Sequence, residues 1–198
     1  VIAIPLTGFL TRSLSLRGLF LASLSVFLMA SIACAYAEGF EQLIVARTIQ
    51  GFSGGCLIPL VFSAVFLMFP EKEQALATTI AGGLAVLAPT IGPTIGGYIT
   101  ETFDWSWLFL VNIGPGLFSL AVAVKAIPRE ATRLSLLTRL DWAGVLLLAV
   151  GLTCLELALK DGPEDGWASA TVITLLVVCV LSAVGFIARS LSARTPVA

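Results

Sequence analysis

The chain of 198 residues contains no histidine, only four cysteines and little charge: Lys and Arg number 11, Asp and Glu 12, together 12% of the sequence, for a net charge of −1. Each scarcity closes off a chemistry. Without histidine, the commonest transition-metal ligand and neutral-pH proton shuttle is missing. Cys34, Cys56, Cys154 and Cys179 stand alone in apolar runs with no C-x-x-C spacing, so they read as small buried hydrophobes and no metal site is expected. A net charge near zero offers no basic field for nucleic acid. There is no H-E-x-x-H, and no Ser or Asp pair at helical spacing inside an apolar run, so no catalytic residue and no enzyme activity are expected.

What remains is apolar. Hydrophobic residues make up 58% of the chain and the mean hydropathy is +1.03, whereas an ordinary globular domain carries about 25% charged residues. These values predict an all-α integral membrane protein. Six apolar segments, near 18–37, 42–69, 75–100, 107–127, 142–159 and 168–188, have the length of membrane-crossing helices, since barrel strands run to about ten residues and alternate in polarity. The opening VIAIPLTGFL looks like the second half of another span, and with the C-terminal SARTPVA it suggests an internal piece of a longer chain. The connections are short and polar, so sequential spans run antiparallel in a compact bundle.

Loop charge sets the orientation. Arg12 and Arg17, Lys72, then Lys125, Arg129, Arg133 and Arg139, and finally Arg189 and Arg194 occupy alternate loops, which by the positive-inside rule face the cytoplasm. The opposite loops hold Glu38, Glu41, Glu101, Asp104, Asp161, Glu164 and Asp165, with Lys160 their one basic residue. Trp105, Trp107 and Trp167 fall at the level of an outer aromatic belt.

Residues 88–97, APTIGPTIGG, lie in a run with no charge from Ala75 to Thr100. Gly82, Ala85, Pro89, Gly92, Pro93 and Gly96 recur at three- and four-residue spacing, along one face of a helix. Ala88, Gly92 and Gly96 form a small-xxx-small series that lets two membrane helices touch backbone to backbone. Pro89 and Pro93 remove hydrogen bonds from successive turns and predict a bend. The expectation is a kinked, close-packed face buried in the bundle, because carbonyls freed in lipid need cover.

Gly92-Pro93-x-x-Gly96-Gly97, with Ala88 before it, resembles the antiporter motif on the fifth helix of drug:proton antiporters of the major facilitator superfamily. Arg47, Gln50 and Gly51 in ARTIQGFSGG resemble the R-x-x-Q-G motif of its fourth helix. PLTGFL…RGLFL resembles the loop between helices two and three, WSWLFLVNIGPG (Trp105, Trp107, Asn112) the start of helix six, and LDWAGVLLL the extra helix pair of the fourteen-span EmrB/QacA type. Against G-x-x-x-D-R-x-G-R-[RK], only Gly8 and Arg17 match: Arg12 takes the acidic position, Ser15 the second glycine and Leu16 a basic one. After Asn112 the usual V-P-I-G is replaced by Ile113-Gly114-Pro115-Gly116.

The resemblance implies a major facilitator helical bundle, here the end of span two and about six complete spans. Residues 1–127 would be late span two to span six of the first bundle, 128–141 a cytoplasmic loop, and 142–198 two linking spans, seven and eight, with the start of the next loop. It also implies proton-coupled efflux of amphipathic compounds or drugs across the cytoplasmic membrane by alternating access. The proton gradient would drive it without a cofactor. Expected partners are the small amphipathic substrate, the bilayer and, where a cell has two membranes, a periplasmic adaptor and an outer-membrane channel, with no nucleic acid. Arg47 and Gln50 are assigned to proton coupling, and Ala88, Pro89, Gly92, Pro93, Gly96 and Gly97 to gate packing. Arg47 has a second reading as an interfacial anchor that snorkels toward Glu41 or lipid headgroups. Asp141 is expected to cap a helix, Glu156 to pair with Lys160, and Asn112 to order its helix start by hydrogen bonding. The other functional reading is a receptor or scaffold that keeps the bundle without transport, favoured by the altered loop motif.

Overall fold

A computed structural model describes residues 7, 10, 11, 15–129 and 142–192. Gly8, Arg12 and Asp141, together with most of the 128–141 connection, lie outside the described residues. Seven helices follow: α1 Leu16–Ala35, α2 Phe40–Met68, α3 Glu71–Thr102, α4 Trp107–Leu110, α5 Ile113–Ala126, α6 Trp142–Asp165 and α7 Ala170–Ser192. With α4 and α5 taken as one segment, six are long and apolar enough to cross a membrane. There is no strand among the described residues.

The α4/α5 boundary has a covalent cause. Pro115 has no N–H to give the carbonyl of Val111, so the ladder is interrupted there, although Val111 and Asn112 keep helical dihedrals. Two other ends differ from the sequence expectation. PEKEQ forms no loop beyond Pro70: Pro70 stands at the N-cap of α3, and Glu71 and Glu73 in the first turn suit the positive end of the helix dipole. KDGPEDG is helical through Asp165, and the terminating glycine is Gly166, at φ 86, whose N–H reaches the carbonyl of Gly162 at 3.0 Å.

α1 is the hub, packed along α2 and against α4 and α5. At one end Leu16 and Leu19 meet Cys56 and Leu60 of α2 and Ala123 and Ile127 beside α5. At the other, Cys34 and Ala35 meet Ala46 of α2 and Phe109 of α4. Between them, Gly116 lets α5 sit against α1, because a Cβ there would run into the Leu28 side chain. α6 and α7 pack mainly on each other, and α3 touches α2 and α4 only lightly.

Candidate functional site

α2 carries Arg47, Gln50 and Ser53 on a mostly apolar helix. Gln50 is 4% exposed, so its amide needs partners inside the protein. The guanidinium only donates, so it must meet the amide oxygen: Arg47 Nη1 donates to Gln50 Oε1 at 2.9 Å. The amide nitrogen then points to α1, where Nε2 donates to Ser31 Oγ at 2.6 Å. Cys34 Sγ approaches the same Oε1 at 3.9 Å. Ser53 turns back on its own helix, its hydroxyl donating to the carbonyls of Ile49 and Gln50. Beyond the arginine, Cζ lies 5.0 Å from the centroid of the Phe109 ring on α4, within range of cation–π attraction. Phe109 in turn meets Trp105 edge-on, with centroids 6.0 Å apart.

Three helices thus converge on one cation, and among the described residues its polar partner is an amide. Gln50 and Gly54 face α1, where a Cβ on Gly54 would approach the Phe27 ring at 3.3 Å, while one on Gly51 would meet nothing within 4 Å. Gly51 therefore lies off the face that Gln50 and Gly54 turn to α1. Sequence alone does not single out Ser31 or Phe109, and it marks Cys34 only as a small buried hydrophobe. The available signal is a hydroxyl, Ser31, one of three serines inside the apolar α1 segment, and a ring one turn after Trp105.

The antiporter-like stripe on α3 is placed differently. Ala88, Pro89, Gly92, Pro93 and Gly97 are exposed and Gly96 is half-buried; α3 has no buried residue at all. A Cβ on Gly92 or Gly97 would meet nothing, and one on Gly96 only the Leu108 side chain at 3.7 Å. The buried, close-packed face expected from the sequence is not formed among the described residues, because α3 touches α2 and α4 only lightly. Its threonines bond their own helix, Thr90 to the carbonyl of Val86 and Thr100 to those of Gly96 and Gly97. Between α2 and α3 lies an apolar groove of about 630 Å³ lined by Ile58, Phe62, Val65, Leu76 and Ile80, with Glu73 on its wall.

At the end bearing the basic residues, Arg17 Nη1 donates to the carbonyl of Ile127 at 3.0 Å. This ties the start of α1 to the last turn of α5 and satisfies a terminal carbonyl. Ser15, at the motif's second glycine, adopts φ 63 and ψ 146 and accepts a hydrogen bond from the Gly18 N–H on Oγ. Trp105 and Trp107 are about half-exposed, and Trp107 packs on Phe103 with centroids 5.4 Å apart. Asn112 caps α5 with its backbone carbonyl, which accepts from Gly116 N at 2.9 Å; its side chain makes no cap bond, contrary to the ordering role expected of it. No group of three or more potential metal ligands occurs among the described residues.

A sequence profile described as the Major Facilitator Superfamily matches residues 1–197. The chain is 36% identical over 197 residues to the colistin resistance protein EmrB of Acinetobacter baumannii, covering 99% of this chain and 38% of that protein. It is 34% identical over 197 residues to the fatty acid resistance protein FarB of Neisseria gonorrhoeae, covering 99% and 39%. With the multidrug export protein EmrB of Escherichia coli K12 it shares 33% identity over 186 residues, 94% of this chain and 36% of the other. The chain therefore spans less than two fifths of the length of these curated relatives. Six membrane-length helices, no strand among the described residues, and a profile match along nearly the whole chain lead to one assignment: this is a multi-pass inner-membrane chain that belongs to the Major Facilitator Superfamily and resembles its EmrB-type drug exporters.

Proposed function

We propose that this chain is part of a proton-coupled exporter of amphipathic organic compounds, working by alternating access in the cytoplasmic membrane. Residues 1–127 supply most of the first bundle, and 142–198 two linking spans with the start of the next loop. The observation that carries the reading is Arg47, a permanent cation within a membrane-length helix, held by a buried amide and an aromatic ring. An intramembrane arginine costs at least about 3 kcal/mol near the bilayer centre, so a position that keeps one serves a function. Its charge lowers the pKa of a facing acid on a span outside the described residues, and protonation of that acid loosens the pair and frees the helices to rearrange. The small-residue stripe on α3 is a contact surface for the rest of the transporter, where close approach seals the gate. Names of relatives that speak of colistin, fatty acid and multidrug resistance support an amphipathic substrate. Export in a two-membrane cell would continue through a periplasmic adaptor and an outer-membrane channel.

The test is export driven by an imposed pH gradient in proteoliposomes of the full-length protein. Arg47→Ala should lose uphill export and Arg47→Lys keep part of it, since lysine preserves the charge without the planar fork. Substrate binding should change less than coupling. Wild-type coupling in Arg47→Ala at normal expression would leave Arg47 an interfacial anchor. The receptor reading rests on Arg12 standing at the motif's acidic position. Ligand binding with no uphill flux in the unmodified protein would establish that reading instead.

A further inference from the structure

We infer that Ser31 on α1 and Phe109 on α4 are positioning residues for Arg47, fixing its guanidinium from two sides so that proton coupling depends on both. This rests on the proposed role of Arg47 and names what holds it there.

The geometry runs in one direction. Gln50 can present either end of its amide to Arg47, and only the oxygen attracts a cation. Arg47 therefore turns Oε1 toward Nη1 at 2.9 Å, and Ser31 Oγ anchors the other end of the amide by accepting the Nε2 hydrogen at 2.6 Å, which holds the amide in place. Ser31 is 0% exposed, so water cannot substitute for it. On the far side the Phe109 ring, 8% exposed, lies 5.0 Å from Cζ, and Trp105 braces it edge-on. Arg47 is otherwise exposed, so these two contacts are what select one orientation of a long side chain. Because they come from different helices, a shift of α4 against α1 moves the charge.

Other ionisable groups nearby do not replace this arrangement. From α1 the titratable neighbour is the Cys34 thiol, which shares Gln50 Oε1. From α4, Trp105 and Phe109 bring no charge. Glu38, Glu41 and Asp104, at the same end, are exposed.

The experiment is the pH profile of substrate binding by the full-length transporter in proteoliposomes, a readout that survives the loss of uphill export in Arg47→Ala. An opposite charge within about 4–6 Å lowers a carboxyl pKa by about 1–3 units. A cation that has lost its fixed position lets that pKa rise, so protonation persists to higher pH. Ser31→Ala and Phe109→Leu should therefore move the midpoint toward alkaline pH by about one unit, in the same direction as Arg47→Ala. Ser31→Thr and Phe109→Trp should restore it, because each keeps the hydroxyl or the ring face. Ser31 and Phe109 act from separate helices, so a folding failure of one variant leaves the other as the test. An unshifted midpoint in Ser31→Ala or Phe109→Leu at normal expression, while Arg47→Ala shifts it, overturns the inference and leaves the reading of Arg47 standing. An unshifted midpoint in Arg47→Ala removes both.

Discussion

In α2, Arg47 and Gln50 reach partners on α1 and α4 at distances of 2.6–5.0 Å along one connected path. In α3, Gly92 and Gly97 face open space on a helix with no buried residue. Both stretches match superfamily motifs, and both lie in apolar helices. They differ in what kind of complement each needs. A hydrogen-bonding motif finds its partners among spans adjacent in sequence, because a buried amide left unpaired would cost about 1–3 kcal/mol. A motif that works by absence of side chains gains nothing until another backbone arrives. On the proposed reading, the bareness of α3 is that of a contact surface without its contact.

The largest expected effect comes from filling that surface. Gly92→Leu or Gly96→Leu should abolish coupled export by the full-length protein while leaving insertion intact, because a leucine would hold two backbones apart without adding charge. Thr94→Leu, two residues from Gly92 and on the opposite side of the exposed helix, should do much less. Equal transport by all three would make the stripe an ordinary lipid-facing surface and erase the contrast with α2.

How much of this could be read from sequence follows the same division. Span number and placement were legible, because composition and length are local: α1, α2 and α5 end within two residues of expectation. Helix ends in polar loops depart from composition where local capping outweighs it: α6 runs past 159 to Asp165 and is closed by Gly166, and Pro70 opens α3. Arg47 and Gln50 stood out as polar groups in an apolar run. Ser31 and Phe109 did not, because their importance lies in a contact across helices, which periodicity does not encode. Packing of the α3 stripe was expected from its own shape, yet packing belongs to two surfaces.

The two ends of the hub differ in loop charge, and this gives an all-or-none test of smaller consequence for function. In a background lacking the four native cysteines, single cysteines at Glu73 and Arg129 should resist a membrane-impermeant thiol reagent in intact cells, while those at Gly39, Asp104 and Glu164 should react. Gly162 is unsuited as a reporter, because a Cβ there would collide with the Trp167 ring. The reverse labelling pattern would invert the bundle. Within that bundle, Gly116→Leu should destabilise the α1–α5 contact by about 1–3 kcal/mol through overpacking against Leu28. Thermal unfolding in detergent would measure it, and an unchanged midpoint would show that α5 is free to move away.

The smallest effect concerns Ser15, which stands where the resembled motif has its second glycine. Its φ of 63 with ψ of 146 lies close to a region used almost only by glycine, and a non-glycine residue there costs about 1–3 kcal/mol. The hydroxyl returns part of this by accepting from Gly18 N at 3.3 Å, a cap whose replacement by glycine costs only about a few tenths of a kcal/mol. Glycine also carries more unfolded-chain entropy, worth about 0.5–1 kcal/mol. The balance favours Ser15→Gly by up to about 2 kcal/mol. Ser15→Ala keeps the strain and loses the cap, so it should destabilise by about 1 kcal/mol. The comparison that decides is glycine against alanine at the same site, read from thermal unfolding of the full-length protein. Stability in the order alanine above glycine would mean that Ser15 is unstrained and that the motif's glycine position has lost its backbone role along with its residue.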